Sequence, residues 1–140
     1  MSFLLRPMTT TDYGPVSSLW SASEGVGICG PFEQFQSYLQ RNPGLSPVAC
    51  DEDRIIGALH CGHDGFRGYL YQLAVAEDRR GWGVGRAMVD WSLQKLEGLG
   101  IQRCTLFVYR DHPAGESFWK HLQWRERTDL IVLAKDLPTN

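Results

Sequence analysis

The sequence predicts one mixed α/β domain, and three observations favour that fold class. Strand-like and helix-like segments follow one another along all 140 residues, with no repeat, low-complexity stretch or linker between them. A glycine-rich run at residues 79–86 separates an apolar strand-like segment at 69–75 from a long helix-like segment at 83–99. The length is that of one domain with its own core, so we expect a single domain at residues 1–140.

The first third of the chain predicts a strand and two helices. The order is a strand at residues 3–7, a helix from Thr9–Thr11 to Ser21, a flexible loop from Gly25 to Gly30, and a helix beginning at Pro31 and ended by Asn42-Pro43-Gly44. A threonine can cap the first helix, and Asp12 then lies favourably beside the positive end of its dipole. Pro31 suits a first helical turn, where its missing N–H costs nothing.

The middle of the chain predicts three strands joined by turns. They cover residues 47–51, 54–60 and 69–75, with turns at Glu52-Asp53 and Asp64–Gly68. Connections this short require neighbouring strands to run antiparallel.

The last part predicts a long helix, a strand, a short helix and a final strand. Their ranges are 83–99, 102–109, 113–122 and 128–134. The long helix places its polar residues on one narrow stripe, namely Arg86, Asp90, Gln94 and Glu97. A helix with so narrow a polar face must pack against a sheet and against further neighbours.

Charge and composition argue against several classes of partner. Fourteen Lys and Arg against 16 Asp and Glu give a net charge of −2, so we expect neither a nucleic acid nor a membrane as partner. No apolar stretch approaches the about 20 residues that cross a bilayer, and the N-terminus lacks a signal-peptide pattern. The four scattered cysteines, at 29, 50, 61 and 104, indicate reduced, mostly buried thiols in a cytoplasmic protein.

The glycine-rich run, Arg79-Arg80-Gly81-Trp82-Gly83-Val84-Gly85-Arg86, predicts a pyrophosphate site. Glycines allow a tight turn and close approach of a ligand, and a helix that starts there offers free N–H groups and a positive dipole end. The arginines add donors for phosphate. The run is no Walker loop, because no Lys-Ser or Lys-Thr pair follows it, and its glycine spacing is not that of a dinucleotide fingerprint. A glycine-rich turn without a ligand is the alternative.

The run, its neighbours and the element order resemble the GNAT N-acetyltransferase superfamily. Arg80-x-x-Gly83-x-Gly85 is similar to the acyl-CoA motif of that family, and His112–Trp124 is similar to its last motif. The resemblance implies a mixed, mostly antiparallel sheet with helices on both faces and a splayed parallel strand pair. It also implies acetyl transfer from acetyl-CoA to a primary amine in a ternary complex, with a homodimer left open.

The resemblance implies where the cosubstrate binds. Backbone groups of Leu73, Ala74 and Val75 would pair with the pantetheine as another strand would. The residues expected at the pyrophosphate are Arg80, Gly81, Trp82, Gly83, Val84, Gly85 and Arg86. A Val75 N–H freed by a bulge would hold the developing oxyanion. Trp82 is either a lid over the cosubstrate or, as we favour, a packing anchor.

The catalytic residues are harder to assign, because the family's usual acid, a Tyr, is Trp119 here, and an indole does not protonate a thiolate. The candidate substitutes are Tyr109, Tyr71, Ser117 and His112, with Tyr109 and Tyr71 ranked first. His112 can instead simply start the last helix, and Glu116 can be a dipole partner rather than a proton relay. Gln123, which replaces the Gly at the end of that helix, is expected in a left-handed conformation.

Two further expectations concern the acceptor and metals. The acceptor pocket would be built by the Gly25–Gly30 loop, the helix from Pro31 and the Asp64–Gly68 hairpin, with Tyr69 and Tyr71 flanking it. Glu24, Glu33 and Asp64 could attract a cationic amine there or be solvated surface charges. His60 and His63 are three apart on a strand, so they do not point to a metal site. An acyl-CoA sensor without transferase activity, favoured by Trp119, and a nucleotide-binding module are the competing functions.

Overall fold

The computed structural model describes residues 2–27 and 29–139 and divides the chain into two compact units, Met1–Val108 and Tyr109–Asn140. The first unit holds a five-stranded sheet whose strands are, in order, β1 (Leu4–Pro7), β2 (Pro47–Asp51), β3 (Arg54–His63), β4 (Gly68–Val75) and β5 (Cys104–Thr105). The first four strands pair antiparallel, and β4 pairs parallel with β5. The predicted mixed, mostly antiparallel sheet is therefore confirmed.

Helices cover both faces of this sheet. They are α1 (Tyr13–Ser21), α2 (Phe32–Arg41) and α3 (Val84–Gly98). A side chain at Gly62 of β3 would collide with Tyr38 of α2, whereas one at Gly57 would collide with Met88 of α3. Residues five apart on a strand point to opposite faces, so α2 and α3 lie on opposite sides of β3.

The core between the sheet and the first two helices is apolar and tightly closed. Val16 and Trp20 of α1 and Phe35 of α2 pack with Ala58 and Ala74 of the sheet. Trp20 is completely buried. Burying aromatic side chains of this size contributes about 1.5–3 kcal/mol each, so this face of the sheet is a main source of stability.

A bulge interrupts the pairing of β3 with β4. Ala58 lies opposite Ala74 and His60 opposite Tyr71, so one residue of β3 faces two residues of β4. Gln72, in the bulge, has a φ of 58°, a left-handed conformation that is rare outside glycine. On its other side, β4 pairs with β5 only at Gly68 and Tyr69. At Tyr71 and from Leu73 to Val75, that edge of β4 has no ladder partner among the described residues.

Two predicted strands differ from the structure. The strand expected at 102–109 is ladder-paired only at β5, and residues 128–134 form no strand. Apolar side chains of that last segment are exposed, with Ile131 82% and Leu133 84% accessible. An apolar, β-branched pattern supplies only a propensity, and a strand also needs a neighbour to pair its N–H and C=O groups. No described residue supplies that ladder to 128–134.

The second unit contains α4 (Pro113–His121), and none of its described residues, 109–139, is buried. His112 precedes Pro113 as the N-cap, in agreement with the simpler of its two interpretations. Glu116 pairs with Lys120 at 3.2 Å, one helical turn away. Gln123 has a φ of 71°, so the predicted left-handed end of this helix is confirmed.

Candidate functional site

The glycine-rich run forms a turn that leads directly into α3. Gly81 and Gly83 have φ values of 84° and 82°, and Gly83 is the N-cap of the helix. Other residues adopt this left-handed region only at a cost of about 1 kcal/mol. A Cβ at either glycine would meet no protein atom within 4 Å. The outer surface of the turn is therefore open to a ligand.

Six consecutive backbone N–H groups, from Gly81 to Arg86, are unpaired within the described part of the chain. On either side the pairing resumes, since Arg80 N–H donates to Glu77 and Ala87 N–H donates to Gly83. Free N–H groups at a helix start carry a partial positive charge, which the helix dipole reinforces. This arrangement suits a ligand with several anionic oxygens, such as a diphosphate.

The three arginines of the run have different surroundings. Arg79 is bound to Asp51 at 3.1 Å and to Asp78 at 2.9 Å, and its guanidinium lies 4.9 Å from the ring centre of Trp82. Arg80 and Arg86 are exposed and form no ion pair with a described residue. We expected all three to be phosphate donors, but Arg79 is committed to the protein. Its contact with Trp82 agrees with a packing role for that ring.

The free edge of β4 presents only some of the expected backbone groups. Ala76 N–H donates to Ile56 of β3 at 2.7 Å. Because alternate residues of a strand turn their N–H groups to opposite sides, the Ala74 N–H also faces β3, and the Val75 N–H faces the free edge. The bulge lies at Gln72 and Leu73, before Val75, so strand alternation and not a bulge frees the Val75 N–H.

A cleft of about 230 Å³ opens between α2 and the β3–β4 hairpin. The side chains lining it include Tyr38, Arg41, His63, Asp64, Tyr69 and Tyr71. The predicted contributions of the second helix and the hairpin are thus present. Residues 25–27 and 29–30 of the predicted loop, and Glu24 and Glu33, do not line it, and Ile28 lies outside the described residues.

Two aromatic rings that line the cleft, Tyr69 and Tyr71, pack with Phe107, which is not part of the cleft lining. Tyr69, Tyr71 and Phe107 form a set of near-parallel rings with centroids 6.3–6.5 Å apart, which we call the aromatic platform. Tyr71 is 41% and Phe107 54% exposed, so the platform is accessible from solvent. Tyr38 meets Tyr71 edge to face at 6.5 Å.

Beneath the cleft lies a buried group of polar aromatic side chains. His60 is 7% exposed and packs against Trp20 at 4.7 Å and Tyr38 at 4.4 Å. Burial lowers the pKa of His60 to about 4, so the imidazole is neutral at pH 7. Burial also raises the pKa of Tyr38. His60 Nε2, Tyr38 Oη and Trp20 Nε1 have no hydrogen-bond partner among the described residues.

Of the four predicted catalytic residues, the structure places Tyr71 in the cleft. Its pKa is raised, first by burial and then by the neighbouring Tyr69, so the phenol holds its proton at neutral pH. Tyr109, His112 and Ser117 belong to the second unit, where Tyr109 and Ser117 are exposed and the His112 ring lies against Gly115. Sequence reasoning missed Tyr38, although its position three residues after Phe35 on one helix face was a usable signal.

The hairpin histidine and aspartate have structural partners. His63 Nδ1 accepts a hydrogen bond from the Gly65 N–H at 2.9 Å, and Asp64 Oδ1 accepts two from Phe66 and Arg67 at 2.8 Å each. These bonds support the interpretation that both residues shape the turn. Within residues 2–27 and 29–139 no group of three or more His, Cys, Asp or Glu side chains could hold a metal ion.

Two further sequence expectations concern the cysteines and membranes. All four cysteines are free, but only Cys61 is buried, while the other three are partly exposed. The expectation of mostly buried thiols was therefore wrong for Cys29, Cys50 and Cys104. Of the helices that the structure describes, none combines the length and the apolar character of a membrane span.

Comparison with known proteins supplies the family. A sequence model described as the acetyltransferase (GNAT) family matches residues 15–123. The chain is 32% identical over 137 residues to acetyltransferase YPTB2753 of Yersinia pseudotuberculosis, covering 95% of this chain and 94% of the relative. It is 32% identical over 93 residues to N-alpha-acetyltransferase 30 of Schizosaccharomyces pombe, covering 63% and 62%. A crystal structure of the NatC complex bound to Gag peptide and CoA shares the fold, with a TM-score of 0.75, 19% identity and coverage of 87% and 84%.

Proposed function

Because this chain belongs to the acetyltransferase (GNAT) family, we propose that it transfers the acetyl group of acetyl-CoA to a primary amine. The observation that carries the proposal is the row of six unpaired N–H groups from Gly81 to Arg86. The turn fits a diphosphate, because its N–H groups are free and its outer surface is open. Acetyl-CoA is the cosubstrate that this fold implies, and NatC, which shares the fold, was crystallised with CoA.

Other parts of acetyl-CoA would bind to the arginines beside the turn and to the free edge of β4. Arg80 and Arg86 are free to pair with phosphate oxygens as exposed cations. The pantetheine would add to β4 along the edge from Leu73 to Val75, which has no ladder partner among the described strands. This brings the thioester toward the bulge and the aromatic platform.

The chemistry then needs an attacking nitrogen, an oxyanion donor and an acid. The neutral amine attacks the thioester carbonyl carbon, the C–N bond forms, and the Val75 N–H donates to the oxygen that gains negative charge. The C–S bond then breaks as the carbonyl reforms, the thiolate takes a proton from Tyr71, the nitrogen loses its proton to solvent, and Tyr71 regains a proton from solvent. Tyr109, His112 and Ser117 stay candidates for the same proton donation. A cytoplasmic location remains part of this proposal.

A sensor that binds acyl-CoA without transfer is the second candidate, and Trp119 favours it. The family's proton donor is missing at that position. Release of free thiol from acetyl-CoA in the presence of an amine panel separates the two functions. A rise in melting temperature with CoA but no thiol release above buffer would support the sensor.

The cosubstrate site is tested by a matched pair of glycine variants. Gly81→Ala places a methyl group on the open surface of the turn, and Gly44→Ala places one at a similar left-handed position, φ 76°, in the loop after α2. Both variants should lose about 1 kcal/mol of folding free energy. Calorimetry should show CoA affinity reduced roughly ten-fold or more in Gly81→Ala alone, a loss of about 1.4 kcal/mol. Equal affinity in both variants would contradict the site.

A further inference from the structure

The chemical character of the acceptor can be inferred from the cleft between α2 and the β3–β4 hairpin. The inference rests on the proposed function, because it takes this cleft as the place where the amine meets the thioester. Tyr71 belongs both to the cleft and to the start of the free β4 edge. A molecule in the cleft therefore lies beside the proposed path of the pantetheine.

The charged side chains of the cleft are not equally available. Asp64 is ionised, but its Oδ1 is bound by the N–H groups of Arg67 and Phe66, which lower its pKa. Arg41 is exposed, lines the cleft and forms no hydrogen bond or ion pair with a described residue. Asp64 therefore offers a ligand only its Oδ2, whereas every N–H donor of the Arg41 guanidinium is without a partner among the described residues.

A second hydrogen-bond donor in the cleft, His63, also favours an anionic ligand. His63 Nδ1 is occupied as an acceptor from the Gly65 N–H, so a neutral His63 carries its proton on Nε2. His63 and Arg41 both line the cleft, and both then offer N–H donors. Donors of this kind bind carboxylate or phosphate oxygens and repel an additional ammonium group.

The rest of the cleft lining is uncharged and consists of Tyr38, Asn42, Gly62, Tyr69 and Tyr71. Tyr69, Tyr71 and Phe107 form the accessible platform, and Tyr38 closes one side. Such a wall accommodates the apolar part of a ligand. The carboxylate of the cleft, Asp64, already has one oxygen bound within its own turn.

We propose that the acceptor is a primary amine that also carries an anionic group, such as the carboxylate of an amino acid. The anionic group pairs with Arg41, the apolar part lies on the aromatic platform, and the amine reaches the thioester beyond Tyr71. Polyamines, by contrast, are poor acceptors.

The test compares three acceptors of equal chain length: 4-aminobutyrate, butylamine and putrescine. In the unaltered protein, kcat/KM should be about ten-fold higher for 4-aminobutyrate than for butylamine, as expected for one charge-assisted interaction, and lowest for putrescine. Arg41→Gln should abolish the preference by lowering kcat/KM for 4-aminobutyrate to that for butylamine. Lys95→Gln, an equal charge change on α3, should leave the preference intact.

A binding measurement separates this inference from the proposed function. Calorimetry of the CoA complex should show N-acetyl-4-aminobutyrate binding more tightly than N-butylacetamide, and Arg41→Gln should remove the difference. If CoA binds but no amine is acetylated, the proposed function fails, and this difference still decides the ligand class. A preference for putrescine or butylamine, equal binding of the two amides, or a carboxylate preference that survives Arg41→Gln would overturn the inference.

Discussion

Asp12 is a buried carboxylate whose charge is held by Arg6. Two hydrogen bonds of 2.8 Å join the guanidinium to the carboxylate, and the Thr9 N–H donates a third at 2.8 Å. Burial alone would raise the pKa of Asp12, but the bonds from Arg6 and Thr9 outweigh it, and the pKa lies below its usual value. The ionised pair is therefore part of the folded state.

Removing the arginine should leave this carboxylate buried and unpaired. We expect Arg6→Met to lower the free energy of unfolding at pH 7 by about 2–4 kcal/mol, because an uncompensated buried charge is costly. Since Asp12 has a lowered pKa when folded, its contribution is present above about pH 4 and is lost as the pH falls through the folded value. The decrease in the free energy of unfolding on acidification should therefore be smaller in Arg6→Met than in the unaltered protein.

Urea unfolding measures the effect of Arg6→Met, with Arg127→Met as the control. Arg127 pairs with Asp129 at 2.9 Å on the exposed surface, where an ion pair contributes little. The control should unfold like the unaltered protein. Equal free energies of unfolding in the two variants would show that the buried pair stabilises the fold no more than the exposed pair does.

Residue roles were predictable where they depend on local backbone geometry. The left-handed Gln123 and the capping position of His112 follow from helix-end rules, which involve only neighbours in sequence. Arg79 was misassigned, because its partner Asp51 is 28 residues away, at the end of β2. No local pattern distinguishes an arginine that faces a ligand from one that binds a distant carboxylate.

At the scale of elements, the turn before α3 is tied to the β2–β3 region by a chain of ion pairs. Arg79 joins Asp51 at the end of β2 to Asp78, and Arg54 of β3 binds Asp78 with bonds of 2.9 and 3.0 Å. The Arg79 and Asp51 side chains are only 23% and 28% exposed. Trp82, inside the turn, rests on Arg79. This chain of contacts fixes the approach to the six free N–H groups.

Breaking the ion pair between Arg79 and Asp51 should weaken acetyl-CoA binding without changing the chemical step. We expect Asp51→Asn to raise KM for acetyl-CoA about five-fold, since a partly buried ion pair contributes on the order of 1 kcal/mol, while kcat stays within two-fold. Steady-state kinetics at varied acetyl-CoA provide the measurement. Arg54→Gln breaks the exposed end of the same chain and should leave KM unaltered. An unchanged KM in Asp51→Asn would show that the turn holds its shape unaided.

Elements with a strong internal pattern were predicted nearly to the residue, whereas elements that depend on distant partners were not. The helix expected at 83–99 is Val84–Gly98, and the strand expected at 47–51 is Pro47–Asp51. The strands at 102–109 and 128–134 carried equally apolar patterns, yet only Cys104 and Thr105 are ladder-paired. Helical hydrogen bonds lie within one segment, but a strand's bonds depend on another segment.

For the molecule as a whole, one half of the proposed active site is formed within a single segment, whereas the other half depends on segments that are distant in sequence. The turn proposed to bind phosphate occupies one short stretch, so its glycine spacing was sufficient to predict a tight turn that leads into a helix. The cleft is assembled from α2 and the β3–β4 hairpin, which are separated by β2 and much of β3. Tyr38 of α2 and Tyr71 of β4 are far apart in sequence and come into contact through the fold. The sequence predicted the second helix and the hairpin at this cleft, but the contribution of Tyr38 and Arg41 and the balance of charges in the cleft came only from the structure.

The buried imidazole of His60 links the stability of the first unit to pH. Its folded pKa, about 4, lies below the 6.5 of an exposed histidine, so between these values the unfolded chain binds more protons than the folded one. The free energy of unfolding should therefore fall as the pH drops from 6.5 to 4, by at most about 1.4 kcal/mol per unit from this group. His60 packs against Trp20, Phe35 and Tyr38, and none of these carries a charge that could offset the effect.

His60→Phe should flatten this pH dependence, because it keeps a ring in the aromatic packing and removes the titrating nitrogen. It should also stabilise the fold at pH 5 relative to the unaltered protein, since no proton is then lost on folding. Urea unfolding at pH 7.0, 6.0, 5.0 and 4.5 gives the slope, with His121→Phe as the control because that histidine is exposed on α4. A slope that persists in His60→Phe but disappears in His121→Phe would assign the acid sensitivity to the surface and not to the core.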